Sequence, residues 1–156
     1  MKYNHERFLK LWKKKKNSKE LKSRLTLEDL EFYTYEALVG EYISWTWKDN
    51  YFSLAEDFVS NKISLYDYML QFQILLHKIN KEVQTLLNDF EKLKNFNYNP
   101  ASYGFNKVVG AFFEDWDLYD PTGPDEFDPD PDYPSDEEFR LSIKATFNKY
   151  YDNWKE

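Results

Sequence analysis

The chain has 156 residues, no cysteine and a formal net charge of −7. That length is one domain able to bury a core without covalent staples, and the absence of thiols excludes disulfides, thiolate metal sites and a cysteine nucleophile. No apolar run approaches the roughly 18 residues of a membrane span, and no apolar stretch follows the basic N-terminus as in a secretory signal. A cytoplasmic protein is expected. Abundant Phe, Tyr, Lys and Asn match AT-rich codons, so the plastid stroma is the expected location if the gene is organellar.

Charge is polarised along the chain. Residues 1–24 hold ten Lys or Arg against two Glu, a balance of +8. Residues 114–138 hold twelve carboxylates and no cation. Such a run repels itself and calls for a cationic counterpart: a metal ion, a basic protein surface or the chain's own basic segment. Residues 1–24 read as a basic N-terminal arm or helix, ahead of a helical bundle domain over 25–156.

The first element is expected over about 4–16, where Phe8, Leu11 and Trp12 share a face and Lys13 to Lys16 follow. Thr26 with Asp29 three residues on is a capping-box signature, and a helix should run from it to about 48. Leu27, Leu30, Tyr33, Leu38, Tyr42 and Trp45 step along it by three or four. A shorter helix, about 51–60, has Leu54, Phe58 and Val59 as its apolar face. Ser64 and Asp67 mark the next cap. From there Leu65, Tyr68, Phe72, Leu75, Ile79, Val83, Leu86, Phe90 and Leu93 predict one continuous helix over 64–94, roughly 45 Å long at 1.5 Å per residue. Residues 95–102 form a turn. A helix over 103–116 follows, with Phe105, Val108, Val109, Phe112 and Phe113 inward. Five of the six prolines fall within 121–134, so the acidic segment there is extended. Ser135 with Glu138 caps a last helix bearing Phe139, Ile143, Phe147, Tyr150 and Trp154. The class is all-α, with an extra N-terminal helical segment and one long acidic, Pro-rich loop.

Catalytic signals are absent from the sequence. His5 and His77 are its only histidines, and neither has a second ligand or base at a useful spacing. Gly-rich phosphate loops and nucleophile elbows are missing, so no enzyme is expected. Asp128, Asp130 and Asp132 have the spacing that opens a calcium loop. Tyr133 then stands where glycine is needed and Phe139 where a bidentate glutamate is needed. No metal and no cofactor are expected. The basic segment carries Tyr3 and Trp12 among its lysines, but the chain is acidic and has no nucleic-acid motif. Nucleic acid and membrane are therefore not the expected partners; a basic protein is.

Residues 51–151 resemble the bacterial self-protective colicin-like immunity family. The resemblance lies in the order and spacing of SLAEDFVSNKISLYDYMLQF (53–72), NPASYGF (99–105), FFEDWDLYDP (112–121) and SDEEFRLSIKATF (135–147). It implies an antiparallel four-helix bundle that presents an acidic surface to the basic active site of a toxin ribonuclease and blocks it. By position, the contact residues it implies are Glu114, Asp115, Asp117 and Asp120, then Asp136, Glu137 and Glu138. The chain departs from the family in the 50 or so residues before the matched region and in a longer, more proline-rich acidic loop. These departures leave a second expectation open: a structural or assembly subunit of a larger complex, such as an organellar one, descended from this family.

Overall fold

The computed structural model describes residues 2–17, 24–117 and 135–154, with the backbone alone for 115–117. The described residues are all-helical. They form α1 (His5–Asn17), α2 (Leu27–Thr46), α3 (Lys48–Val59), α4 (Leu65–Asn88), α5 (Phe90–Lys94), α6 (Asn106–Asp117) and α7 (Asp136–Trp154), with a 3-10 turn at Pro100–Ser102. None of these helices is long and apolar enough to cross a membrane.

The expected caps form. Thr26 Oγ1 accepts the Asp29 N–H while Asp29 accepts the Thr26 N–H at 2.9 Å, a reciprocal capping box. Ser64 Oγ accepts the Asp67 N–H at 3.1 Å. Ser135 donates its N–H to Glu138 Oε2 at 2.8 Å and accepts the Glu138 N–H at 3.3 Å. Each cap satisfies backbone donors that a helix start leaves without partners.

The expected continuous helix over 64–94 is broken. It ends at Asn88, and Asp89, with φ −113° and ψ 103°, starts a separate short helix by accepting the Lys92 N–H at 3.1 Å. An aspartate suits a cap better than a helix interior, because its short side chain competes for nearby backbone N–H groups. The apolar period passes through the break, which is why it reads as one helix in sequence.

Two apolar clusters build the core. The larger is centred on α3, whose Tyr51, Phe52, Ala55 and Phe58 are all buried. The expected face had only Phe58 right; Leu54 and Val59 are partly buried at its margin. Aromatic contacts give the direction of the neighbours. Phe58 stacks on Tyr68 with ring centroids 4.5 Å apart, while Tyr51 meets Phe72, so α3 and α4 run antiparallel. Phe58 also meets Phe139, while Phe52 meets Phe147 and Tyr151, so α3 and α7 run antiparallel as well. Phe105, just before α6, packs edge-on to Trp154 at the end of α7. Phe112 and Phe147 both meet Phe52, so α6 and α7 run antiparallel, with the C-terminal end of α6 directed toward the N-terminal half of α7.

The end of α3 is closed by Asn61 at φ 60°, with Lys62 N–H to Asp57 O at 2.9 Å and Asn61 N–H to Phe58 O at 3.0 Å. Arg140 of α7 donates to the same Phe58 carbonyl, and its guanidinium lies 4.0 Å over the Phe58 ring. A cation at a helix C-terminus is favourable, so this contact pins the start of α7 to the end of α3.

The second cluster holds α1 in place. Phe8 and Leu11 are buried against Phe32, Tyr35, Leu38, Val39, Leu87 and Leu93, and Trp12 donates its indole N–H to Leu87 O at 2.7 Å. Val83, Leu86 and Phe96 touch both clusters and join them. On α2 the buried face is Phe32, Tyr35, Leu38, Val39 and Ile43. This corrects the expected stripe, since Leu27 is 85% exposed and Leu30 and Tyr33 are also exposed. Phe105, just before α6, and Val108 and Phe112 on it are buried as expected, whereas Phe113 is 39% exposed.

Candidate functional site

The sequence singles out a basic patch and an acidic patch, and the fold treats them differently. The basic residues of α1 lie against the acidic first turn of α2. Arg7 donates to both oxygens of Glu31, the shortest bond being 2.7 Å, and lies 3.5 Å from Glu28. Lys14 bonds Glu28, and Lys15 lies 3.8 Å from Asp29. The hydrogen bond from Arg7 holds the Glu31 carboxyl below the usual carboxylate range, and that from Lys14 does the same for Glu28. Lys15 also sits 3.6 Å over the Tyr33 ring, Lys13 over Phe90 and Lys16 over Trp12. Three of the seven cations of residues 1–17, Arg7, Lys14 and Lys15, thus have a carboxylate partner within the fold.

The acidic residues fall in the last turn of α6 and the first turn of α7. Glu114 is exposed in the last turn of α6; Asp115 and Asp117 are in the same turn, where the backbone alone is described. Asp136, Glu137 and Glu138 are exposed in the first turn of α7. Asp120 and the Asp128, Asp130 and Asp132 triplet lie outside the described residues. Antiparallel packing directs Glu114 and the α7 acids toward the same side of the molecule, and the shared contact of Phe112 and Phe147 with Phe52 sets Glu114 level with the middle of α7.

The two helix ends differ electrostatically. Acids in the first turn of α7 meet the positive end of its macrodipole, and Glu138 is committed to its cap. The Ser135 N–H holds the Glu138 carboxyl below the usual range. Glu114, Asp115 and Asp117 instead stand at the negative end of α6, where carboxylates are disfavoured by a few tenths to about 1 kcal/mol each. Among the described residues, Glu114 and Glu137 form no ion pair.

The position of α6 depends on a residue that sequence reasoning missed. Glu41 of α2 is buried, and its Oε1 accepts the N–H of Gly104 at 2.9 Å and of Asn106 at 3.2 Å. This carboxylate caps α6 from another helix. Gly104 has φ +95°, a left-handed backbone that glycine adopts without strain, and this conformation presents its N–H to Glu41. A glutamate amid the apolar residues 38–43 is the available signal, since a buried acid needs donors.

The histidines hold structural or surface positions. His5 accepts the Tyr3 hydroxyl at Nδ1 and donates from Nε2 to Lys94 O at 3.1 Å, tying α1 to α5. His77 is exposed on α4. Among the described residues, no group of three or more His, Asp or Glu is placed to hold a metal ion.

A cleft of about 740 Å³ lies between the C-terminal part of α2, α4, and α5 with its following turn. Tyr42, Trp47 and Phe96 contribute its aromatic surface, and Lys78, Lys81 and Lys92 line it as well. Lys81 lies on α4 and Trp47 at the end of α2, and only the packing of α2 on α4 sets both in one cleft. Comparison of the chain with protein families, with curated proteins and with solved structures gives no match.

Proposed function

We propose that this is a non-enzymatic, immunity-type protein that binds a basic partner, the nuclease domain of a toxin, through the acidic turns of α6 and α7. The observation that carries the reading is the placement of Glu114, Asp115 and Asp117 in the last turn of α6. Helix stability does not account for carboxylates there, whereas a cationic partner does. A ribonuclease must hold a polyanion, so its cleft is basic. Carboxylates presented from the end of a rigid helix compete for that cleft and steer the encounter. Internal pairing of the basic residues of α1 supports the same choice of surface. The antiparallel pairs α3–α4 and α3–α7, with α6 against α7, support reading the core as the family's four-helix bundle, with α1 and α2 added.

The test uses the full chain. The partner is captured from the native host, identified, and assayed for tRNA cleavage with and without the protein. Glu114→Gln, Asp115→Asn, Asp117→Asn and Asp120→Asn together should weaken binding and flatten its salt dependence, with the helical spectrum unchanged. Lys2→Glu with Lys10→Glu should leave binding intact. If the basic-residue variant abolishes binding and the acidic variant is silent, α1 is the working surface and the immunity reading fails.

A further inference from the structure

We propose that the cleft between α2, α4 and α5 binds a small aromatic anion, a planar ring system carrying a phosphate or carboxylate. This site is independent of the acidic turns. Its volume of about 740 Å³ falls in the range of ligand clefts, roughly 300–1,000 Å³.

The walls are aromatic and held in place. Tyr42 stands edge-on to Phe96 with ring centroids 5.1 Å apart and planes at 80°. Trp47 donates its indole N–H to Glu82 Oε2 at 2.9 Å, which ties the end of α2 to α4. All three rings are only half-buried, so apolar area is left for a ligand ring to cover, and stacked or edge-on contacts are the favoured geometry. Ile43 and Leu86 add apolar lining.

The charge selects an anion. Lys78, Lys81 and Lys92 line the cleft against one carboxylate, Glu82, in a chain whose net charge is −7. Lys78 and Lys81 are one helical turn apart, a spacing at which like charges repel by a few tenths of a kcal/mol. Neither forms an ion pair among the described residues. Glu82 is one turn beyond Lys78, but one of its oxygens is taken by the Trp47 indole. Lys92 shares its charge with Asp89 at 3.5 Å. An anion in the cleft relieves the lysine repulsion, and a flat ring covers the aromatic walls. A bare inorganic anion does only the first and a neutral apolar molecule only the second.

The test follows the Trp47 indole N–H signal by NMR in the full chain, assigned by its loss in Trp47→Phe. The probes are AMP, 2-naphthoate, adenosine and inorganic phosphate. AMP and 2-naphthoate should shift the signal at about millimolar concentration, and adenosine and phosphate should bind at least about tenfold more weakly. Lys78→Glu with Lys81→Glu should weaken AMP by about tenfold or more while the remaining spectrum keeps its dispersion. The proposal is overturned if adenosine matches AMP, if the double variant binds AMP as well as the parent, or if neither ring anion moves the signal. A response to a poly-glutamate peptide but not to AMP would assign the cleft to an acidic protein segment and overturn it too.

Discussion

Replacing Glu41 tests whether a single buried carboxylate positions α6. Its Oε1 accepts two backbone N–H groups, from Gly104 and Asn106, at 2.9 and 3.2 Å. Glu41→Ala removes both bonds and leaves two donors at a helix start without an acceptor. Hydrogen bonds to charged groups contribute about 1.5–3 kcal/mol each net, and the bonds here are coupled, so a loss of about 2–4 kcal/mol is expected. Glu41→Gln keeps an oxygen in place and loses only the charge assistance and the attraction to the helix dipole, about 1 kcal/mol. Urea unfolding at neutral pH, followed by far-UV circular dichroism, gives both values from midpoints at a common slope. The order wild type, Gln, Ala is the signature of a charge-assisted cap. If Glu41→Ala lies within about 0.5 kcal/mol of wild type, the cap is energetically idle and α6 is held by packing alone.

Three further outcomes follow from the same contacts. Tyr51 is 2% exposed and its hydroxyl has no hydrogen-bond partner among the described residues; burial also raises its pKa. Tyr51→Phe should therefore stabilise the protein by up to about 1 kcal/mol in urea unfolding, and a loss of that size would reveal a partner for the hydroxyl. Phe8→Ala should cost about 3–5 kcal/mol, because α1 is part of the second cluster; a loss under about 1 kcal/mol would make α1 a detachable arm. The carboxyls of Glu28 and Glu31 are lowered in the fold by Lys14 and Arg7. A group lowered on folding contributes stability that is complete above its unfolded value, about 4.3, and is lost as pH falls through the folded value. Unfolding midpoints should thus drop as pH falls below about 4, and Arg7→Ala should flatten that dependence; an unchanged pH profile in the variant would show that the pair carries no linkage.

The sequence by itself determined which stretches are helical and where most of them start. Caps depend on residues three apart, so Thr26 with Asp29, Ser64 with Asp67 and Ser135 with Glu138 are legible without knowing the rest of the chain. The strong apolar period also placed Tyr68, Phe72, Leu75 and Ile79 inside α4, because that helix has a clear polar face. On α2 the period was ambiguous. Apolar residues surround that helix, and both the stripe through Leu27 and Leu30 and the one through Phe32 and Tyr35 step correctly. Docking of Phe8 and Leu11 selects the second. The break at Asp89 was hidden for a similar reason: the apolar period continues across it, and a local cap competes with it on nearly equal terms.

What the tertiary structure alone decided is the arrangement of charge. The two oppositely charged patches were visible as counts. The sequence did not show that Arg7, Lys14 and Lys15 meet acids of α2, or that α6 runs antiparallel to α7. Nor did it place Trp47 beside three lysines. The residues so brought together are 14 to 45 positions apart, and their meeting is set by which helix faces bury together and by the antiparallel packing of α3, α4 and α7. Local propensity carries no information about such distances, because they follow from the packing of whole helices into one core.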